Sequence, residues 1–380
     1  MGCVLKPKIT VFGTGSDAQT MAADLTYAGY QVNLLGLPEQ KQSLEEIEKL
    51  GINLSGQETV SGKTGIAKPN MITTDSEEAL KDVKVIFIMQ PEDDYEYRIE
   101  TIAPFDYEHR IEAIAPYLED GQIINFNTFG HWPSLRVVEY LEKAGKENVI
   151  LTESPVPIYM PLAGYMRKHV QVSAFPATKN KEAFRVLNSI FPVYEMGENI
   201  LQANLENVNL MVHPALGLLN VGWDDRKKAE GEGIDIYTSG PTVHTGILHE
   251  AGDKERIKVC EAYDVHALPM GEHYRRWYGS SGDNMYEVLK NTSVYQKRGF
   301  FSASICSRWL STDTPFLLVP LAQLADLAGI SVPIHKGIIE IASALSKENF
   351  WETGLTLEKL GLDNLTVEEI KRYVTEGKKN

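Results

Sequence analysis

Lys8-Ile9-Thr10-Val11-Phe12-Gly13-Thr14-Gly15-Ser16-Asp17-Ala18 decides how the first half of this chain is read. The five residues to Phe12 suit a short buried strand, and Gln19 to Ala28 continues as a helical run. Between them each small residue has a physical task. Gly13 permits the tight turn, Gly15 lets backbone approach a pyrophosphate, and Ala18 lets the helix lie close against the strand. A helix N-terminus placed there offers N–H groups and a positive dipole end to phosphates. Gly13, Thr14, Gly15, Ser16, Asp17 and Ala18 are therefore candidate dinucleotide contacts, the plainer alternative being a glycine-rich βα turn that binds nothing.

Working outward, a second strand, Gln31 to Leu35, follows Gly29, as a βαβ unit requires. The acidic residue that commonly holds the adenosine ribose is missing at its end: Gly36-Leu37-Pro38 follows, and Glu39 is the first carboxylate. No arginine stands nearby for a 2′-phosphate, although Lys41 is close in sequence, so NAD and NADP both remain open as cofactor. Alternation continues with a helix at 41–50, an irregular Gly/Ser/Thr-rich stretch to Thr74, a helical piece at 77–80 and a strand at 83–89. Gln90 and Pro91 close that strand at the end where open α/β sheets bind ligands, which makes them candidates to border a nicotinamide. Strands at 122–127 and 149–152 flank a helix at 134–144. The proline-rich run 154–161 is unsuited to a central strand. A strand-like run at 169–174, a helix at 181–191 and a short run at 193–196 complete the half. The pattern predicts an α/β N-terminal Rossmann domain, doubly wound with a mostly parallel sheet, over residues 1–197.

One feature interrupts it. Residues 94–105, DYEYRIETIAPF, are followed by residues 106–117, DYEHRIEAIAPY, a tandem copy of twelve residues. A single duplication is no solenoid, because repeat folds need about three stacked units. Twelve residues are not a whole number of helical turns, and Pro104 breaks a helix. The expectation is two short helical pieces with a break near Pro104 to Asp106, projecting close to the cofactor rim, the insertion being either tolerated surface or a gate to the site.

From residue 198 to 380 the apolar periodicity becomes long and helical, predicting an all-α C-terminal domain. Helices are expected from Leu201 to Val212 and on past Pro214, then at 253–264, 285–294, 315–328, 335–345 and 367–375. Asn207-Val208-Asn209-Leu210-Met211-Val212-His213-Pro214 carries one histidine in an apolar run. It is either a satisfied core residue or a proton carrier, since imidazole titrates near neutrality. Cys306-Ser307-Arg308-Trp309-Leu310-Ser311-Thr312-Asp313-Thr314-Pro315 holds the other charged signal. Asp313 could cap a helix opening at Pro315 or pair with a histidine; Arg308 could be a surface ion-pairing residue or a fork for a carboxylate. No metal-ligand spacing occurs, and His244 and His249, five apart, read as solvated polar residues in a loop.

Composition bounds the partners. Of 380 residues, 43% are hydrophobic, and 37 basic against 52 acidic side chains leave a net charge of −15, which disfavours nucleic acid and anionic membrane surfaces. Anionic small molecules would need locally placed arginines. Three cysteines without paired spacing fit a reducing compartment, and no run approaches a membrane span, so a cytoplasmic protein is expected. Met1-Gly2-Cys3 resembles an acylation start, but Lys6 occupies the position where Ser or Thr is wanted.

Taken together, these residues place the chain beside a known family. It resembles the octopine/opine dehydrogenases over nearly its whole length. The likeness is carried by the N-terminal glycine turn, Asn207-Val208-Asn209 leading to His213-Pro214, and Ile236-Tyr237-Thr238 with Pro241-Thr242. Asp253-Lys254-Glu255-Arg256, Tyr278-Gly279, and Arg308 to Pro315 with Leu318-Val319-Pro320 also carry it. Ala18 in the third glycine position, the missing acid and the duplication depart from the pattern. The resemblance implies a Rossmann domain joined to a helical domain, NAD or NADP as cofactor, and reductive condensation of an amino acid with a 2-oxo acid such as pyruvate through an imine. It implies His213 as general acid/base, oriented by Asp313, and Arg308 as the holder of the oxo-acid carboxylate. A simple NAD(P)-dependent reductase of a 2-oxo or 3-hydroxy acid, and a non-catalytic NAD(P)-sensing protein, are the alternatives.

Overall fold

The computed structural model describes residues 6–56, 58–89, 106–160, 165–297, 299–301 and 304–379. The chain divides into two compact units, one of residues 1–167 with 172–196, the other of residues 168–171 with 197–380.

The first unit is built on an eight-stranded sheet. Its strands are β1 (Ile9–Phe12), β2 (Val32–Leu35), β3 (Met71–Thr73), β4 (Val85–Met89), β5 (Ile123–Asn127), β6 (Ile150–Glu153), β7 (Val170–Phe175) and β8 (Tyr194–Met196). They lie in the order β8-β7-β6-β5-β4-β1-β2-β3. Pairing is parallel from β3 through β2, β1, β4 and β5 to β6, and β7 runs antiparallel to β6. β1, β2, β4, β5, β6 and β7 are buried at every position, as strands covered on both faces must be. The polar residues among them find partners: Asn33 Nδ2 donates to the Ala79 carbonyl at 2.8 Å, and Asn125 Nδ2 to Thr152 Oγ1 at 3.0 Å. Strand order reverses between β1 and β4, which makes the carboxyl end of these two strands the topological switch point of the sheet.

The stretch read as irregular between Gly51 and Thr74 contains a two-stranded antiparallel hairpin, Ile52–Leu54 with Gly65–Ala67, besides edge strand β3. Its strands are three residues long, too short for alternation to register in sequence. The first copy of the duplication lies outside the described residues, together with Gln90 and Pro91. The second copy forms the helix Tyr107–Ile114, with Tyr107, Arg110, Ile111 and Ile114 buried. Arg110 donates to the Met89 carbonyl at 2.7 Å and lies over the Phe12 ring, so it reaches the ends of β4 and β1. Glu108 accepts a two-pronged bond from Arg136, both arms 2.7 Å. This copy is woven into the sheet's carboxyl end, not laid on the surface.

The second unit is helical. Its long helices are Val208–Ala229, Val243–Ala262 and Pro333–Ser346, and Ile305–Asp313 runs without interruption through a π-helical segment, Thr314–Leu318, into Val319–Leu327. Among the described residues no helix is long and apolar enough to cross a membrane, and no group of three or more His, Cys, Asp or Glu side chains is gathered to hold a metal ion.

Candidate active site

His213 sits one turn into a helix opened by Asn207, whose side chain accepts from the Asn209 N–H at 2.8 Å. Pro214 follows inside the same helix. Proline has no N–H to give and crowds the carbonyl four residues back, so the first turn cannot be held by helical bonding alone. The neighbouring helix Val243–Ala262 contributes His249, whose Nε2 donates to the Val212 carbonyl at 3.1 Å. His249 is 2% exposed, so it is not the solvated loop residue its surroundings in sequence suggested; His244 is exposed. Burial pushes the His249 imidazole down to about 4, which keeps it neutral. The sequence hides this because the segment's apolar positions are too sparse to show a helix there.

Asp313 ends the helix Ile305–Asp313 with αR dihedrals and makes no capping bond. The reading of Asp313 as the cap of a helix starting at Pro315 is therefore overturned: the helix passes straight through, by way of the π-helical turn. A π turn widens the ladder, which accommodates the missing N–H of Pro315. Two contacts draw this helix against Val208–Ala229. A Cβ at Gly217 would meet the Cys306 carbonyl at 3.3 Å, so the position favours glycine. Buried Asp224 accepts from the N–H groups of Ser304 at 3.0 Å and Cys306 at 2.8 Å, fixing the start of the second helix on the first.

The two helices then bring together groups a hundred residues apart. His213 Nδ1 and Asp313 Oδ2 are 2.8 Å apart, the side chains 12% and 5% exposed. Trp309, four residues before Asp313 and hence on the same helix face, stacks on the imidazole with centroids 4.0 Å apart and planes 5° apart. Arg308, next along the helix, is half-buried and points from an adjoining face. The second ring nitrogen, Nε2, lies 2.8 Å from the Tyr237 hydroxyl. Tyr237 and Trp309 stand within the sequence motifs without a role legible there, because both meet His213 across long sequence separations that spacing cannot reveal.

With the carboxylate of Asp313 accepting at Nδ1, the neutral imidazole carries its proton there and presents a lone pair at Nε2. The flat, apolar face of Trp309 excludes water from one side and favours a cation lying over it. Such a group can take up a proton at Nε2 and return it.

In the first unit, Gly13 adopts φ +146°, a conformation glycine alone takes readily, and Gly15 opens the helix Ser16–Tyr27 with no side chain capping it. The first N–H groups of that helix stand at the switch point, where they fit a pyrophosphate. Thr14 is turned inward: its hydroxyl accepts from Gln40 Nε2 and its carbonyl from Gln19 Nε2, both at 2.8 Å. Ser16 is exposed, Asp17 half-buried, and Ala18 fully buried against the sheet. At the end of β2, a Cβ on Gly36 would meet Leu44 at 2.9 Å and Thr14 at 3.1 Å. Glu39 faces His109 Nε2 at 3.8 Å, and Lys41 pairs with Glu45 at 3.9 Å.

A family model described as NAD/NADP octopine/nopaline dehydrogenase, alpha-helical domain, matches residues 196–346. An opine dehydrogenase from Arthrobacter sp. (strain 1C) is 28% identical over 373 residues, covering 96% of this chain and 98% of that protein. Among solved structures, octopine dehydrogenase with NADH and L-arginine superposes with a TM-score of 0.72 at 19% identity, covering 99% of both chains. Yersinopine dehydrogenase with NADP+ bound gives 0.60 at 12% identity, covering 98% of this chain and 99% of that one. In sequence over nearly its whole length, in its helical domain and in its fold, this chain is similar to the opine dehydrogenases.

Proposed function

We propose that the protein is an NAD(P)H-dependent opine dehydrogenase that condenses the amino group of an amino acid with a 2-oxo acid and reduces the resulting imine. Residues 1–197 carry the dinucleotide and residues 198–380 the acid–base chemistry. The observation that carries the reading is the His213–Asp313 pair at 2.8 Å beneath Trp309, in a chain similar from end to end to an opine dehydrogenase.

The reaction sets the tasks. The incoming ammonium must lose a proton before nitrogen attacks the oxo carbon, and the carbinolamine must gain one at oxygen before water leaves. His213 serves both steps from one position, as base and then as acid, with Asp313 holding the tautomer and stabilising the imidazolium. Arg308 offers a planar fork, and a local positive charge in a chain of net charge −15, to the oxo-acid carboxylate. Gly13 to Ala18, with Gln90 and Pro91, form the cofactor's surroundings in this reading. Bound NAD(P)H supplies the hydride that converts the iminium to the secondary amine.

The test is a matrix of amino acids against 2-oxo acids with NADH and with NADPH, followed by absorbance loss. Oxidation that requires both the amine and the oxo acid is expected, and oxidation by an oxo acid alone would instead mark a simple reductase. His213→Ala should lower kcat by about 10²–10⁴-fold while cofactor binding is kept. Wild-type turnover in that variant would remove His213 from the mechanism.

A further inference from the structure

The structure assigns Tyr237 a catalytic place: its hydroxyl is the atom that exchanges protons with the substrate, relaying them to and from His213. This rests on the amine–oxo acid reading above.

The two ring nitrogens of His213 have different partners. Nδ1 of His213 is committed to Asp313, so any proton bound for substrate must use Nε2, and Nε2 is 2.8 Å from the Tyr237 hydroxyl. A substrate meeting Nε2 directly would have to move the tyrosine. The ring is poorly placed to move. It lies face to face with Tyr295, centroids 4.3 Å apart and planes 23° apart, with Phe301 edge-on at 5.4 Å and Trp309 tilted at 5.5 Å. Tyr295 is itself anchored through its hydroxyl to that of Tyr274 at 2.5 Å. Tyr237 is 5% exposed. Displacing it would forfeit several aromatic contacts at once. Rotating its O–H bond disturbs none of them.

Protonation and hydroxyl direction are therefore coupled. Beside neutral His213, the phenol donates to Nε2 and turns its oxygen lone pairs outward, ready to accept from a substrate ammonium. Beside the imidazolium, Nε2–H donates to the phenol oxygen and the phenolic proton turns outward. In the dehydration step that proton goes to the carbinolamine oxygen, the C–O bond breaks with release of water, and the nitrogen lone pair forms the C=N bond of the iminium. The phenol oxygen takes the Nε2 proton in the same event. The balance is carbinolamine plus imidazolium giving iminium, water and neutral imidazole, with Tyr237 unchanged. Deprotonation of the incoming amine runs the same path in reverse.

The experiment is Tyr237→Phe, which keeps the ring stack and removes the relay atom. Expected are a kcat lower by about 100-fold with the KM for NAD(P)H little changed, and a proton inventory in mixed H₂O/D₂O that changes from curved, two protons in flight, to linear. A variant with wild-type kcat and a curved inventory would overturn the relay while leaving the opine reading standing. A wild-type enzyme that shows no amine-dependent oxidation would remove the reading, and the relay with it. Should Tyr237→Phe fail to fold, judged by melting and cofactor fluorescence, Tyr237→3-fluorotyrosine replaces it. Its more acidic phenol should move a limb of the pH–rate profile to lower pH, and an unmoved profile would overturn the relay.

Discussion

Asp313 meets His213 because three local facts coincide: the helix does not stop at Pro315, Gly217 has no side chain, and Asp224 pins the start of the Asp313 helix. A carboxylate 5% exposed and bonded to one imidazole nitrogen acts on charge as well as orientation. Asp313→Asn keeps the shape and an acceptor but loses the charge that stabilises the imidazolium. Its expected effect is a kcat lower by about 10²-fold or more, with the basic-group limb of the pH–rate profile moving to lower pH. Steady-state rates across pH check both. At this scale the sequence exposed the candidates His213, Asp313 and Arg308 through their chemistry. It gave no means of ranking Tyr237 or Trp309 above the other tyrosines and tryptophans, because ring stacking leaves no spacing signature.

At the scale of elements, the duplicated segment offers the sharpest contrast between pattern and packing. Its second copy supplies Tyr107, whose hydroxyl donates to the Gly130 carbonyl at 2.7 Å, the buried Arg110 and the half-buried Glu108 paired with Arg136. These positions recur in the first copy as Tyr95, Arg98 and Glu96. Deleting residues 94–105 is expected to leave the fold intact, with a melting temperature within about 4 °C of the full chain. A fall of more than about 8 °C, equivalent to roughly 2 kcal/mol or more in domains of this size, would show that the first copy has contacts of its own to lose. Repetition is plain in sequence; that the second copy is embedded is not, since an apolar face does not name the surface it packs on. The helix Val243–Ala262 was legible only in its later part, because its first turns expose Val243 and Ile247 and so break the expected pattern.

For the whole molecule, two separate units with their own cores should each show their own response to conditions. His249 gives the second unit an acid sensitivity whose direction follows from its burial. Above about pH 6.5 the residue is neutral folded and unfolded, and contributes no pH dependence. Between there and about 4 the unfolded chain binds a proton that the folded unit refuses, so stability falls as pH falls, by about 3 kcal/mol over the window. His249→Gln retains a donor for the Val212 carbonyl and does not titrate. Melting curves from pH 7.5 to 4.5 should be flatter for this variant, and added NAD(P)H should raise the transition of the dinucleotide unit by mass action. An identical acid slope in wild type and variant would assign the sensitivity to other groups.

The sequence by itself determined the two-part plan. A glycine turn between a buried strand and a helix, followed by alternating periods, leaves a parallel sheet as the way to bury those strands, and the later 3.6-residue periodicity leaves helices. It also determined the reaction chemistry available, since titratable and anion-binding side chains are what they are at any position. Tertiary structure alone decided which of them work together. His213, the Trp309 and Asp313 pair one helical turn apart, and Tyr237 come from three segments that share no local pattern, and their meeting depends on a helix continuing through Pro315 and on the close approach of two helices at Gly217. Local sequence encodes the period of an element and the face it buries; the partner of that face is chosen by packing over the whole unit.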